Sequence, residues 1–125
     1  EEEAKETEEK EDRKGIITID ELDKVELKVG QIKEVEKVAK AKKLYKLQVD
    51  VGEKELRTIV SGLVPYYTEE ELTGKQVIVV TNLKPAKLCG IESNGMLLAA
   101  GDDDVVKLLV LDNNNGTLEN GSNIH

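Results

Sequence analysis

The fold of this chain is decided by the stretch Asp23-Lys24-Val25-Glu26-Leu27-Lys28-Val29-Gly30-Gln31-Ile32. Val25, Leu27 and Val29 alternate with charged residues, which is the period-two pattern of a strand with one buried face. Gly30 then shifts the phase, since the next apolar side chain falls on an even position. A glycine at a phase shift inside a strand indicates a bulge or a sharp bend. We therefore expect the chain to turn a corner here, as a small closed barrel requires.

Further strands are predicted on the C-terminal side of this stretch. They are short runs of apolar residues bounded by turn residues, at 44–51, 56–61, 76–81, 96–100 and 105–111. The run 76–81 is almost continuously apolar, so we expect it to be buried on both faces. Short strands at a spacing of roughly 10–15 residues predict an all-β protein in the main, a five-stranded Greek-key barrel of the OB type with extra C-terminal strands.

Two capping boxes predict two short helices. Thr18-Ile19-Asp20-Glu21 should begin a helix that reaches Asp23 or Lys24, because the hydroxyl and the carboxylate of such a motif each satisfy a free backbone N–H. Thr68-Glu69-Glu70-Glu71 should begin a second helix, between the third and fourth strands, that ends at Gly74.

The composition describes a polar chain that can still form one core. Of its 125 residues 38% are hydrophobic and 35% charged, and a chain of this length normally forms one domain. No apolar run approaches the roughly 18 residues of a membrane span, and the charged N-terminus does not resemble a signal peptide. One Cys, and one His at the last position, exclude a disulfide framework and a zinc site within one chain. We therefore expect a cytoplasmic protein with no membrane partner, metal or cofactor.

The net charge of −8 is unevenly distributed along the chain. Residues 1–14 carry eight acidic and four basic side chains, a net of −4, whereas residues 24–46 carry eight lysines and three glutamates, a net of +5. Local charge predicts the partners of a protein better than its overall pI. A basic face on an acidic protein is therefore consistent with this sequence.

Residues 1–14 are predicted to be a disordered acidic linker or tail. Ala4 is their only apolar residue, so folding could not offset the entropy of ordering them. They could be a solvated end of the chain, or a linker between domains that its like charges keep extended. Because the sequence does not begin with Met, we expect the native chain to continue upstream. The folded domain then covers residues 15–125.

The sequence lacks the parts of a catalytic site. The only His is the last residue, so no nucleophile has a histidine base, and neither a phosphate-binding loop nor a dinucleotide fingerprint is present. Cys89 has no neighbouring base that would activate it, and we expect it to be a small residue of the core or its rim. We expect no catalytic activity in this domain.

Two clusters of basic and small polar residues are candidates for a binding surface. The first is the loop before the second strand, with Lys40, Lys42 and Lys43, because loop lysines on a rigid scaffold are well placed to meet phosphates. The second combines residues 82–87 with 93–96, where glycines allow a ligand to approach closely. Alternatively, the lysines only solvate strand edges and prevent edge-to-edge pairing.

Several stretches, taken in their order, resemble the tRNA-binding domain family. They are 23–30, 43–45, 49–52, 60–62, 67–74, 82–85 and 88–100. The last of them, Leu88–Ala100, is the longest and most specific, and the similarity extends over residues 16–124. It is greatest to the domain at the C-terminus of bacterial methionyl-tRNA synthetases, through 17–20, 46–48 and 81–85.

The resemblance implies an OB fold that binds the outside of folded tRNA without sequence preference. It further implies a homodimer formed through the terminal segments, and a synthetase body upstream in the same chain whose aminoacylation the domain aids. The RNA-facing residues that it implies are Lys33, Lys43, Asn82, Lys84, Lys87, Ser93 and Met96. Lys42 stands where family members commonly have an acid, and Cys89 where many have Arg.

The scarcity of aromatic residues bears on how RNA would be bound. Single-strand-binding OB domains stack bases on aromatic rings, but Tyr45, Tyr66 and Tyr67 are the only aromatic residues here. Tyr66 and Tyr67, just before a capping box, are expected to pack against the fold. We therefore expect recognition of phosphates and of the shape of a folded RNA.

Two other functions remain open from the sequence alone. One is a stand-alone tRNA-binding protein. The other is a protein-binding module, either a chaperone-like dimer or a dimerisation domain without RNA binding. The acidic net charge of −8 and the Cys at position 89 favour the latter.

Overall fold

The computed structural model describes residues 13–114 and 116–125. The predicted acidic tail lies outside the described residues, apart from Arg13 and Lys14, which are exposed. Among the described residues no helix is long and apolar enough to cross a membrane.

The two predicted helices are present and each begins at a capping box. Helix α1 covers Ile19–Leu22 and helix α2 covers Glu69–Leu72. At α1 the backbone N–H of Glu21 donates to Thr18 Oγ1 over 3.2 Å, and the N–H of Thr18 donates to Glu21 Oε1 over 2.9 Å. The same pair of bonds, 3.1 and 2.8 Å long, begins α2. Both caps are local, which is why the sequence predicted them correctly.

Ten strands follow one another in residues 13–114 and 116–125. They are β1 (Leu27–Lys37), β2 (Tyr45–Asp50), β3 (Arg57–Ser61), β4 (Gln76–Val80), β5 (Ala86–Leu88), β6 (Ile91–Ser93), β7 (Met96–Leu97), β8 (Ala99–Gly101), β9 (Val106–Leu108) and β10 (Asn123–Ile124). Strand β9 is shorter than the predicted run 105–111. Strands β5 and β6 form a hairpin that the strand pattern did not predict.

The main sheet is antiparallel and nearly closes on itself. Its order is β3-β2-β1-β4-β7, and β6, which leads into β7, lies against the free edge of β3. There the backbone N–H of Asn94 donates to Thr58 O over 2.8 Å. Treating β6 and β7 as one bent strand gives five strands around a barrel, with α2 between the third and the fourth. This confirms the predicted OB-type barrel.

Strand β1 has the expected irregularity, but it lies slightly beyond the predicted place. The pairing of β1 with β2 shifts register between Ile32 and Glu34, after the glycine that the phase shift pointed to. A Cβ on Gly30 would lie 2.7 Å from Val79 Cγ2 and 2.9 Å from Val49 Cγ1. The glycine therefore leaves room for valine side chains of the two neighbouring strands, and the register shift follows a few residues later.

The barrel interior holds a continuous aliphatic core. The fully buried side chains are Ile32, Leu47, Ile59, Leu72, Val29, Val49, Val77 and Val79. Burying a side chain of this kind contributes about 1.5–3 kcal/mol. Leu72 anchors α2 on the barrel. The prediction that 76–81 is buried on both faces is confirmed for its second half, where Val79, Val80 and Thr81 are all buried, but Gln76 and Ile78 are only half-buried.

The C-terminal segment completes the sheet. Strand β1 pairs with β2 from Gln31 onward, and β10 pairs with the first residues of β1, with Leu27 opposite Ile124 and Lys28 opposite Asn123. Strands β8 and β9 form a separate hairpin. The hairpin contains the predicted extra strand within 105–111, whereas no strand was predicted at the position of β10.

Candidate nucleic-acid interface

The loop between β1 and β2, residues 38–44, carries the first cluster of lysines and is called the lysine loop below. Lys40, Lys42 and Lys43 are all exposed. Turns shape the loop, with the N–H of Ala41 donating to Val38 O over 3.1 Å. The carbonyl of Lys43 accepts a bond of 3.3 Å from the N–H of Val64. The loop is thus attached to the segment after β3, with its ammonium groups in solvent.

The second cluster lies on the β5–β6 hairpin, and residues 82–93 are called the arm below. Lys84 and Lys87 are exposed on it. Its turn is formed by Cys89 at φ 50° and Gly90 at φ 81°, two consecutive left-handed residues as in the tight turns of hairpins. Cys89 is exposed at this tip, so the prediction of a residue in the core or its rim was wrong.

Strand β3 lies between the lysine loop and the arm. It pairs with β2, which the lysine loop enters, so that Ser61 faces Tyr45, and its other edge contacts β6 of the arm. The outward side chains of β2 form a polar surface beside it, with Lys46 and Gln48 half-buried and Gln48 Nε2 donating to Thr58 Oγ1 over 3.1 Å. OB folds commonly bind nucleic acids on this face and its bordering loops.

Lys46 belongs to the lysine-rich segment 24–46, but the sequence did not single it out as an RNA-contacting residue. The structure makes it a further candidate. The alternation of buried and half-buried residues in β2 places its side chain on the outer face, between the lysine loop and the arm. The period-two pattern of this strand could have identified it.

Two predicted residues lie beside this surface. Lys33 is exposed on β1, at the bulge and one strand further from the arm. Met96 is 47% exposed and lies opposite Val80 on β4, just past the arm.

Asn82 and Ser93, at the two ends of the arm, use their polar atoms within the protein. Asn82 Oδ1 accepts from the N–H of Glu26 over 2.9 Å and its Nδ2 donates to Lys24 O over 2.7 Å. Ser93 is 6% exposed, and its hydroxyl oxygen accepts a bond of 2.9 Å from the N–H of Val60. Both side chains therefore attach the arm to the barrel, and the hydroxyl of Ser93 faces away from solvent.

The hydroxyl groups of the three tyrosines also form hydrogen bonds within the protein. Tyr45 is buried and donates its hydroxyl to Tyr67 O over 2.8 Å, and burial, with the charges of Glu69 and Glu71, raises the pKa of its phenol. The hydroxyl of Tyr67 accepts from the N–H of Leu108 over 3.0 Å, and Tyr66 donates to Asp103 O over 2.8 Å. The packing role expected for Tyr67 is confirmed, since its ring packs against the core.

The lysines of the candidate surface form no ion pair among the described residues. In the described part of the chain the only salt bridge joins Arg57 to Glu53, so none of the candidate lysines is neutralised there. The hydrogen bonds from Arg57 lower the pKa of the Glu53 carboxyl. Within residues 13–114 and 116–125 no three His, Cys, Asp or Glu side chains lie close enough to hold a metal ion. Because the candidate lysines form no salt bridge within the described residues, they can attract an anionic polymer.

A different surface lies between helix α1 and strand β10. Ile19 and Leu22 of α1 are 68% and 50% exposed, and Val25 is 44% exposed. They line a groove of about 580 Å³ together with Leu27 and Ile124. A cluster of exposed apolar side chains of this kind is typical of an interaction surface.

Comparison with known proteins gives consistent results over most of the chain. The family described as "Putative tRNA binding domain" matches residues 27–122. A methionine–tRNA ligase from Methanococcus maripaludis strain C5 is 54% identical over 110 residues, which are 88% of this chain and 16% of the ligase. The chain thus spans about one sixth of the length of such relatives, and it is similar to their C-terminal domain.

Two solved structures have the same fold. The structure of a MetRS-related protein from Pyrococcus horikoshii has a TM-score of 0.78 and 41% identity, and the alignment covers 90% of this chain and 100% of that one. The CsaA chaperone protein from Picrophilus torridus has a TM-score of 0.78 and 31% identity, with 88% of this chain and 100% of that one aligned.

Proposed function

Because the chain belongs to the tRNA-binding domain family, we propose that it binds the outside of folded tRNA through phosphate contacts, without reading bases. The observation that supports this most is the placement of exposed, unneutralised lysines on the lysine loop and the arm, on either side of β3. The tyrosine hydroxyls are used internally, so aromatic stacking on single-stranded bases has little support. Shape and charge remain as the means of recognition.

The proposed contact residues follow from exposure and position. They are Lys33, Lys40, Lys42, Lys43, Lys46, Lys84, Lys87 and Met96. Asn82 and Ser93, which the sequence also suggested, are assigned to holding the arm rather than to the RNA.

We further propose that the domain forms a homodimer as part of a methionyl-tRNA synthetase in the cytoplasm. The apolar groove beside α1 and β10 supports the dimer, since it joins the two terminal segments. The catalytic body would lie upstream in the same chain. Linking a weak RNA site to a catalytic site makes the second contact intramolecular, so that modest affinity still raises the local tRNA concentration.

Titration of the chain with folded tRNA, and with unfolded RNA of equal length, tests the RNA-binding proposal. We expect tighter binding to the folded form, with an affinity that falls steeply as salt rises, because each phosphate contact releases counterions. Equal affinity for both RNAs, or no binding at low salt, would contradict the proposal.

Analytical ultracentrifugation tests the dimer. Leu22→Glu puts a charge into the groove, and we expect it to shift the protein from dimer to monomer. Val110→Glu is the matched control, because Val110 is 51% exposed but does not line the groove. A wild-type monomer at micromolar concentration would contradict the dimer without affecting the RNA proposal.

A second candidate function is the binding of unfolded protein segments. It is favoured by the similarity to a CsaA chaperone protein and by the apolar groove. If this function dominates, the chain will suppress aggregation of an unfolded test protein, and Leu22→Glu will abolish that effect while tRNA binding stays unchanged.

A further inference from the structure

Arg57 is the first residue of β3 and lies close to both ends of the arm. Its side chain is 14% exposed. Nε donates to Glu53 Oε1 over 2.9 Å and Nη2 to Glu53 Oε2 over 2.8 Å. This two-point bond to a carboxylate fixes the plane of the guanidinium.

The remaining face of the guanidinium contacts both ends of the arm. Nη1 donates to Thr81 O over 2.8 Å and to Asn94 O over 3.4 Å. Thr81 directly precedes the arm and Asn94 directly follows it. Among the described residues no other donor reaches these two carbonyl oxygens. One side chain therefore joins the two points between which the arm leaves the barrel.

We infer that Arg57 is a positioning residue for the arm: it fixes the arm's two ends and thereby orients Lys84 and Lys87 toward RNA. Four of the five guanidinium N–H groups are engaged by Glu53, Thr81 and Asn94. Little donor capacity is left for a phosphate. The exposed lysines, by contrast, have their donors in solvent.

The geometry explains why an arginine is needed at this position. A lysine has one nitrogen and cannot bind both oxygens of Glu53 and two carbonyls in one plane. Asn82 and Ser93 each attach one end of the arm, but neither connects the two ends. Without Arg57 the arm would keep its hairpin while its direction relative to β3 became variable.

The role of Arg57 in tRNA binding rests on the proposed function, whereas its role in holding the arm does not. Hydrogen exchange of the protein without RNA tests only whether Arg57 holds the arm. For Arg57→Met we expect the amides of residues 82–93 to exchange about tenfold faster, by local opening. The amides of β2 should keep their protection. Unchanged exchange in the arm would overturn the inference.

A double-mutant cycle tests the role of Arg57 in tRNA binding. Arg57→Met should weaken tRNA binding to about the level of Lys84→Met/Lys87→Met, and adding it to that pair should cause no further loss, because it acts through those lysines. If Arg57→Met weakens binding equally in both backgrounds, Arg57 contacts phosphate directly and the inference is wrong. Lys54→Met, which removes one exposed charge before β3, is the control and should change neither readout.

Glu53→Gln is the second variant, for the case that Arg57→Met does not fold. It removes the charge that fixes the guanidinium but keeps the side-chain shape, and the same readouts apply to it. If the wild-type chain does not bind folded tRNA at all, the proposed function fails, and the exchange measurement still decides whether Arg57 holds the arm.

Discussion

The backbones of Gly52 and Gly121 are in direct contact, where the turn after β2 meets the segment before β10. A Cβ on Gly52 would lie 2.7 Å from Asn120 O and 2.9 Å from Gly121 Cα, and a Cβ on Gly121 would lie 2.7 Å from Val51 O. Both residues also have positive φ, 83° and 94°. The C-terminal segment can therefore close against the barrel only if both positions lack a side chain.

Gly121→Ala should lower the free energy of unfolding. The left-handed backbone alone costs about 1–2 kcal/mol for a residue with a Cβ, and the clash with the Val51 carbonyl adds to this cost. Gly74→Ala is a matched control, since Gly74 has φ 89° but no atom lies within 4 Å of the place that its Cβ would occupy. Denaturant unfolding should show a larger loss of stability for Gly121→Ala, and equal losses would mean that the close approach is unimportant.

The two lysine clusters should contribute separately to RNA binding. Lys42→Met/Lys43→Met and Lys84→Met/Lys87→Met should each reduce the steepness of the salt dependence of tRNA affinity, by roughly 0.9 for each phosphate that is no longer neutralised. Lys54→Met/Lys107→Met removes two exposed charges away from the proposed surface and serves as the control. If neither test pair changes the salt dependence of tRNA affinity, the lysine loop and the arm do not contact the RNA.

Cys89→Asn should stabilise the protein. Cys89 has φ 50°, a backbone conformation that costs most residues with a Cβ about 1–2 kcal/mol. Asn tolerates it better, and Asn-Gly is the preferred pair in such hairpin turns. Thermal unfolding should show a small increase in stability, smaller than the roughly 1–2 kcal/mol cost of the left-handed backbone. Cys89→Val, which is β-branched, should have the opposite effect.

Ser93→Ala distinguishes a structural hydroxyl from an RNA-binding one. The substitution leaves the buried N–H of Val60 without its partner, which costs about 1–3 kcal/mol. Unfolding should therefore become easier, while tRNA affinity at a temperature where the variant is folded stays close to that of the wild type. A selective loss of affinity with unchanged stability would return Ser93 to the interface.

The bond between Glu53 and Arg57 makes stability depend on pH in the acid range. Since Arg57 lowers the pKa of Glu53 in the folded state, the stabilisation is present above the ordinary pKa of the carboxyl. It is lost as the pH falls below that value and through the folded-state pKa. Denaturant unfolding from neutral pH into the acid range should show a weaker pH dependence for Glu53→Gln than for the wild type. Parallel curves for the two proteins would contradict this.

The elements that the sequence predicted correctly depend on neighbours in the chain. Thr18 and Thr68 each cap a helix by pairing with a glutamate three positions further on, and the alternation of apolar and polar residues in 44–51 indicates a strand without knowledge of its partners. The arm was missed for a local reason. Its turn uses Cys89 at a position where Asn or Asp is usual, so the hairpin had no turn signal in the sequence.

The sequence by itself determined the first four strands of the main sheet, the capped helices, the family and the position of the lysines along the chain. Only the tertiary structure decided which polar residues remain available to a ligand. Asn82 and Ser93 are as polar as Lys84 in the sequence, yet their partners are Glu26 and Val60, far away along the chain. Hydrogen bonds between distant residues depend on how the barrel closes, and no local pattern records them.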